Sequence, residues 1–98
     1  MAVIRTTRFE VTPSDVEEMV ARRNAVIEAV RKSCPGLTAA RLARIDEEVW
    51  VDEWRWDSPA SMEAALAAAG SGRLPEAGPA FALTRNSSAE VAEVIDER

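Results

Sequence analysis

The chain has 98 residues, 47% hydrophobic and 30% charged, with a formal net charge of −5; this predicts a single domain spanning 1–98 that buries roughly 60–70% of its unfolded surface. The acidity argues against nucleic acid and anionic membrane as partners, and no apolar stretch approaches the ~18 residues of a membrane span. The single cysteine, Cys34, excludes an intrachain disulfide and fits a reducing cytoplasm, while the absence of histidine removes the commonest metal ligand and general base, so no metal site is expected.

The first segment, Val3–Val11, is rich in β-branched residues and reads as a strand. Its Arg5, Arg8 and Glu10 stand where a signal peptide would need an apolar run. Val3, Arg5, Thr7, Phe9 and Val11 share one face. "TPSD" then predicts a helix start, with Thr12 as N-cap and Pro13 at the first helical position. The helix should run to about Lys32 on an apolar stripe of Val16, Met19, Val20, Val26, Ile27 and Val30. Pro35 and Gly36 end it.

Leu37–Ile45 reads as a second strand and Asp46–Glu48 as a hairpin connection. Val49–Trp56, "VWVDEWRW", is a third strand holding all three tryptophans on one face, at positions 50, 54 and 56. "DSPASMEAALAAAG" is a second helix, capped by Asp57 or Ser58 and ended by Gly70, with Met62, Ala65, Leu66 and Ala69 toward the core. Gly70–Pro79 is a Gly/Pro-rich loop of about ten residues, longer than most connections. It is expected to form a mobile lid whose Arg73 reaches an anionic ligand. "AFALT" fits one helical turn, and "AEVAEVIDE" alternates as a fourth strand.

The order β-α-β-β-α-β predicts an α+β, ferredoxin-like fold: a four-stranded antiparallel sheet with two helices on one face and strands one and three in the centre. The more apolar odd face of strand one and the indole face of strand three should both lie under the helices. The opposite face would carry Ile4, Thr6, Leu42, Val49, Val51, Ala92 and Val94 beside Arg8, Arg44, Glu53, Arg55 and Glu90. That mixture is too apolar for open solvent, so a homodimer through the open sheet face is expected.

A row of aromatics on a central strand reads first as core. Against the alanines of helix two, the indoles could also leave a slot for a flat ligand, where stacking is worth ~0.5–1.5 kcal/mol per pair. Arg23 falls inside the apolar stripe of helix one at about 100° per residue. It either joins Arg5 and Asp52 in a buried polar cluster or snorkels outward past the helix.

The stretches "FEVTPSDVEEM", "PGLTAARL" and "EWRWDSPASMEAAL" resemble the antibiotic biosynthesis monooxygenase domain, across nearly the whole chain. The resemblance implies a dimeric α/β barrel with a pocket in each subunit between sheet and helices. Members include cofactor-independent oxygenases of aromatic polyketides, haem-degrading enzymes and quinol oxygenases. Trp56 matches the tryptophan of the family's "WDS". Thr7 stands where haem-degrading members carry asparagine, and the chain lacks their histidine and the tyrosine of the polyketide oxygenases.

Two functions follow. One is a cofactor-independent monooxygenase of a planar hydroxylated aromatic, with Arg23, Asp52 and Trp56 in catalysis. Arg5, Thr7, Phe9, Trp50, Trp54, Met62, Arg73 and Phe81 would then bind the ligand. The alternative is a non-catalytic dimer that binds a small planar molecule. No cofactor is expected, since "GSGR" lacks the strand and helix that a phosphate-binding loop needs.

Overall fold

The computed structural model describes residues 1–98. Strand β1 (Val3–Glu10) leads through a single 3₁₀ turn (Pro13–Asp15) into helix α1 (Val16–Ser33). Strands β2 (Leu37–Arg44) and β3 (Val49–Trp56) form a hairpin, followed by helix α2 (Pro59–Gly70), a short helix α3 (Ala77–Ala82) and strand β4 (Arg85–Glu93). The antiparallel sheet has the order β2-β3-β1-β4, so β1 and β3 are central. This is the ferredoxin-like α+β arrangement expected from the element order.

Local chemistry accounts for the boundaries. Thr12 does not cap α1. Its hydroxyl instead accepts from Arg85 Nη1 at 3.1 Å. Ser58 does cap α2, its Oγ accepting from the Ser61 amide at 3.2 Å with Pro59 at the first helical position. Between α1 and β2, Gly36 adopts φ +124°. A Cβ there would lie 2.6 Å from the Ser61 side chain and 2.8 Å from Asp57 Oδ1. The Gly36 carbonyl accepts from the Asp57 amide at 2.8 Å. Only glycine satisfies both the backbone angle and the contact.

Register fixes the faces. In the β1–β3 pairing, Val3, Arg5, Thr7 and Phe9 oppose Trp56, Trp54, Asp52 and Trp50, all on the helix side. The other face differs from expectation at β2. A register shift between Leu37 and Ala39 reverses the alternation, so Leu42 stands opposite Asp52 and Arg44 opposite Trp50, under the helices. Arg44 then packs its guanidinium over the Trp50 ring at 5.6 Å. Ala39, Arg41 and Ala43 take the open face instead.

Two apolar clusters form between sheet and helices. The larger joins Val3, Trp56 and Leu37 to Val26, Ile27 and Val30 of α1, Met62, Ala65 and Ala68 of α2, and Leu74 and Ala77. The smaller is Phe9, Val11 and Met19, flanked by Trp50 and Leu42. Three readings of the C-terminal half change. Leu66 is 43% exposed and Ala68 takes the buried position, because Ala65 and Ala68 share the inner face one turn apart. The loop after α2 is only Ser71–Glu76, and Leu74 anchors it in the core at 5% exposure, so it is tied down rather than an open flap. β4 begins at Arg85, where Arg85 pairs with Glu10, and ends before Val94.

Candidate active site

The two clusters do not meet. Between them lies a cavity of about 140 Å³, walled by β1, β3, α1, the C-terminal half of α2 and the segment Leu74–Ser87. Twelve of its 18 lining residues are hydrophobic, so the few polar groups set its chemistry.

Met19 and Val26 sit on the inner face of α1, one above and one below Arg23, which turns inward where a continuous core would need an apolar side chain. The guanidinium meets Asp52 in a two-pronged contact: Arg23 Nε donates to Oδ2 at 2.9 Å and Nη2 donates to Oδ1 at 3.0 Å. The two side chains retain 15% and 11% exposure. Arg23 Nη1 donates to Asn24 Oδ1 at 3.1 Å. Of the two placements open to Arg23 from sequence, the inward one is observed. Arg5 lies beside this pair, on the same face, but donates only to Thr7 Oγ1, at 3.0 Å.

Trp54 forms part of the wall, tilted 39° against Trp56 with ring centroids 6.3 Å apart. Phe9 closes the sheet side, and Phe81 of α3 and Leu66 of α2, 58% and 43% exposed, line the cavity where it meets solvent. Of the sequence-derived site residues, the structure brings together Arg5, Thr7, Phe9, Arg23, Asp52, Trp54 and Phe81.

Four others lie outside. From Trp50 to Trp56 an extended strand spans about 20 Å, so the three indoles cannot share one small space. Trp56 is core at 2% exposure, opposite Val3, and Trp50 sits at the far end with Phe9 and Met19. Met62 packs in the larger cluster. Arg73 points away, its Nε donating to Ser71 Oγ at 3.0 Å. Sequence reasoning missed Leu74, whose signal was a lone leucine in a Gly/Pro-rich stretch. It also missed Thr84 and Ser87, which carry no such signal. No group of three or more Cys, Asp or Glu side chains is placed to hold a metal ion.

Fold and cavity together define a ferredoxin-like α+β domain with a ligand-sized space between sheet and helices. The chain matches no family model and no curated protein, but solved structures match it over nearly its whole length. SnoaB, a cofactor-independent oxygenase from Streptomyces nogalater, is 25% identical, with 98% of this chain and 95% of that chain covered and a TM-score of 0.74. Rv0793 from Mycobacterium tuberculosis is 21% identical over 99% and 98%, with a TM-score of 0.71. A candidate antibiotic biosynthesis monooxygenase from Caulobacter crescentus is 18% identical over 97% and 91%, with a TM-score of 0.70. The chain shares its fold with these structures, several of which are named as antibiotic biosynthesis monooxygenases. No helix is long and apolar enough to cross a membrane.

Proposed function

We propose that the protein is a cofactor-independent monooxygenase of a planar hydroxylated aromatic, polyketide- or quinol-like, working as a homodimer. The observation that carries this reading is the Arg23–Asp52 pair set into an apolar cavity beside Trp54. The similarity to SnoaB, itself a cofactor-independent oxygenase, supports it.

The chemistry asks little of the protein. A hydroxylated aromatic with an acidic ring CH₂ loses one of its two protons, which later returns to the peroxide, and the carbanion passes one electron to O₂. Recombination forms a C–O bond, and the hydroperoxide loses water to leave a carbonyl. One oxygen atom enters the product and the other leaves as water. The protein must hold the ring flat, exclude bulk water and steady the oxyanion. Trp54 and Phe9 offer faces for the ring, the guanidiniums stabilise the oxyanion, and Asp52 accepts the proton. A cavity of about 140 Å³ is the size of a space that holds a single benzene ring. A fused substrate would therefore extend outward past Leu66 and Phe81.

The dimer reading rests on the open sheet face, where Ile4, Val49, Val51 and Val94 are half-buried in the single protomer. A second copy of the same face would cover them.

A binding-only role is the second reading. It is favoured by the way both Asp52 oxygens already accept from Arg23. O₂ consumption with a panel of hydroxylated polycyclic aromatics separates the two. The monooxygenase reading expects uptake matched by carbonyl product. Tight binding with no uptake across the panel would replace it with the second reading.

A further inference from the structure

Charge in the cavity does not cancel. Two guanidiniums, Arg5 and Arg23, and one carboxylate, Asp52, line it. Asp52 is taken by Arg23 through both oxygens. Arg5 makes no ion pair, and its one side-chain hydrogen bond goes to a neutral hydroxyl, Thr7 Oγ1. A guanidinium carries five N–H donors and keeps its charge. In a half-buried setting beside Trp54, most of those donors have no protein acceptor. The molecule as a whole is acidic, with a net charge of −5. One positive charge is thus left uncompensated in an apolar space of an otherwise anionic protein.

We infer that the cavity selects a planar aromatic anion, and that Arg5 is the residue that reads its charge. Arg23 is held by Asp52 and fixes the pocket's shape; Arg5 is the group with donors to spare. The ligand places a ring against Trp54 and its carboxylate or ionised hydroxyl on the Arg5 fork, which suits a two-oxygen acceptor. This deepens the reading above by naming the charge state of what enters the same cavity.

The test uses binding, not turnover, so it stands apart from the question of catalysis. Calorimetric titration of the intact protein with 2-naphthoate and with neutral 2-naphthamide compares one shape in two charge states. The naphthoate should bind at least about tenfold more tightly, the scale of one charge-assisted contact. Arg5→Gln should remove that preference and bring the two probes to similar affinity, and Arg5→Lys should keep part of it. Melting curves establish that the variants are folded, and the wild-type comparison decides the matter even where a variant is not. Equal affinity of the wild type for both probes, no binding of either, or a preference that persists in Arg5→Gln would overturn the inference. Charge selection together with a failed O₂-uptake panel would leave this inference standing and remove only the oxygenase reading.

Discussion

Asp52 is the one charged residue buried in the domain, at 8% exposure, and both of its oxygens are held by Arg23 from the facing helix. The contact bridges β3 and α1 at the level where the two apolar clusters part. A buried ion pair costs desolvation that its attraction only partly offsets, yet losing one partner strands the other. Arg23→Met or Asp52→Leu alone should therefore cost about 3 kcal/mol, the low end for a buried pair because some exposure remains. The double variant should come back close to the wild type. Urea denaturation of the four proteins measures this, and a double variant as unstable as the sum of the singles would remove the coupling.

Gly36 and Gly72 make a controlled pair for the close approach between β2 and α2. Both have positive φ, +124° and +80°, but only Gly36 faces atoms that a Cβ would strike. Gly72→Ala should cost about 1 kcal/mol from backbone strain alone. Gly36→Ala should cost at least about 2 kcal/mol more, because the Ser61 Cβ beside it belongs to the helix and cannot swing away. Equal urea midpoints for the two variants would show that the Ser61 contact is soft.

Val51 lies on the open sheet face beside Val49, between Arg8 of β1 and Ala43 of β2. Val51→Arg places a charge at the centre of the proposed subunit interface, where a two-fold axis doubles the repulsion. Light scattering should move from a dimer to a mass near 10.7 kDa. A wild-type protein that already scatters as a monomer at micromolar concentration would remove the dimer.

The C-terminal segment is fastened to the same face by Glu97, which accepts from Arg55. That hydrogen bond holds the Glu97 carboxyl below its usual range and raises the Arg55 guanidinium, opposed by desolvation and aided by the attraction between the two charges. A lowered carboxyl pKa stabilises above its unfolded value and fades as pH falls through the folded one. Backbone heteronuclear NOE values at Ile95–Arg98 should therefore fall on acidification below the ordinary glutamate range, as the segment is released, and be unchanged through neutral pH. Glu97→Gln should abolish the pH response; a response that persists would assign it to another group.

Most of the architecture was legible because its signals are local. Period-two alternation marked β1 and β3, Ser58 and Pro59 marked the start of α2, and Gly36 marked a turn. The helix-side face of the central strands followed from the same alternation. Leu42 and Arg44 were misplaced because the register shift near Ala39 leaves no mark in a run of alanines. The tryptophans were grouped by face, but face says nothing of distance along the strand, so one indole of three lines the cavity. Arg23 was visible as an anomaly, whereas its direction depended on Asp52, 29 residues away in the chain. Leu74 was hidden by its neighbours: a single side chain secures the Ser71–Glu76 connection, and no pattern-based reading counts a single leucine.

The parting of the core into two clusters has a consequence for cooperativity. Phe9, Val11 and Met19 form one unit, the α2-side residues form another, and the cavity wall draws on both. An occupant that touches Met19 and Phe9 on one side and Val26 and Ala65 on the other becomes the missing packing between them. Such a guest acts as a third piece of the protein's interior. By mass action it adds about 2.7 kcal/mol of stability at a hundred times its dissociation constant. It should also sharpen the unfolding transition, because two units that could melt separately must then melt together.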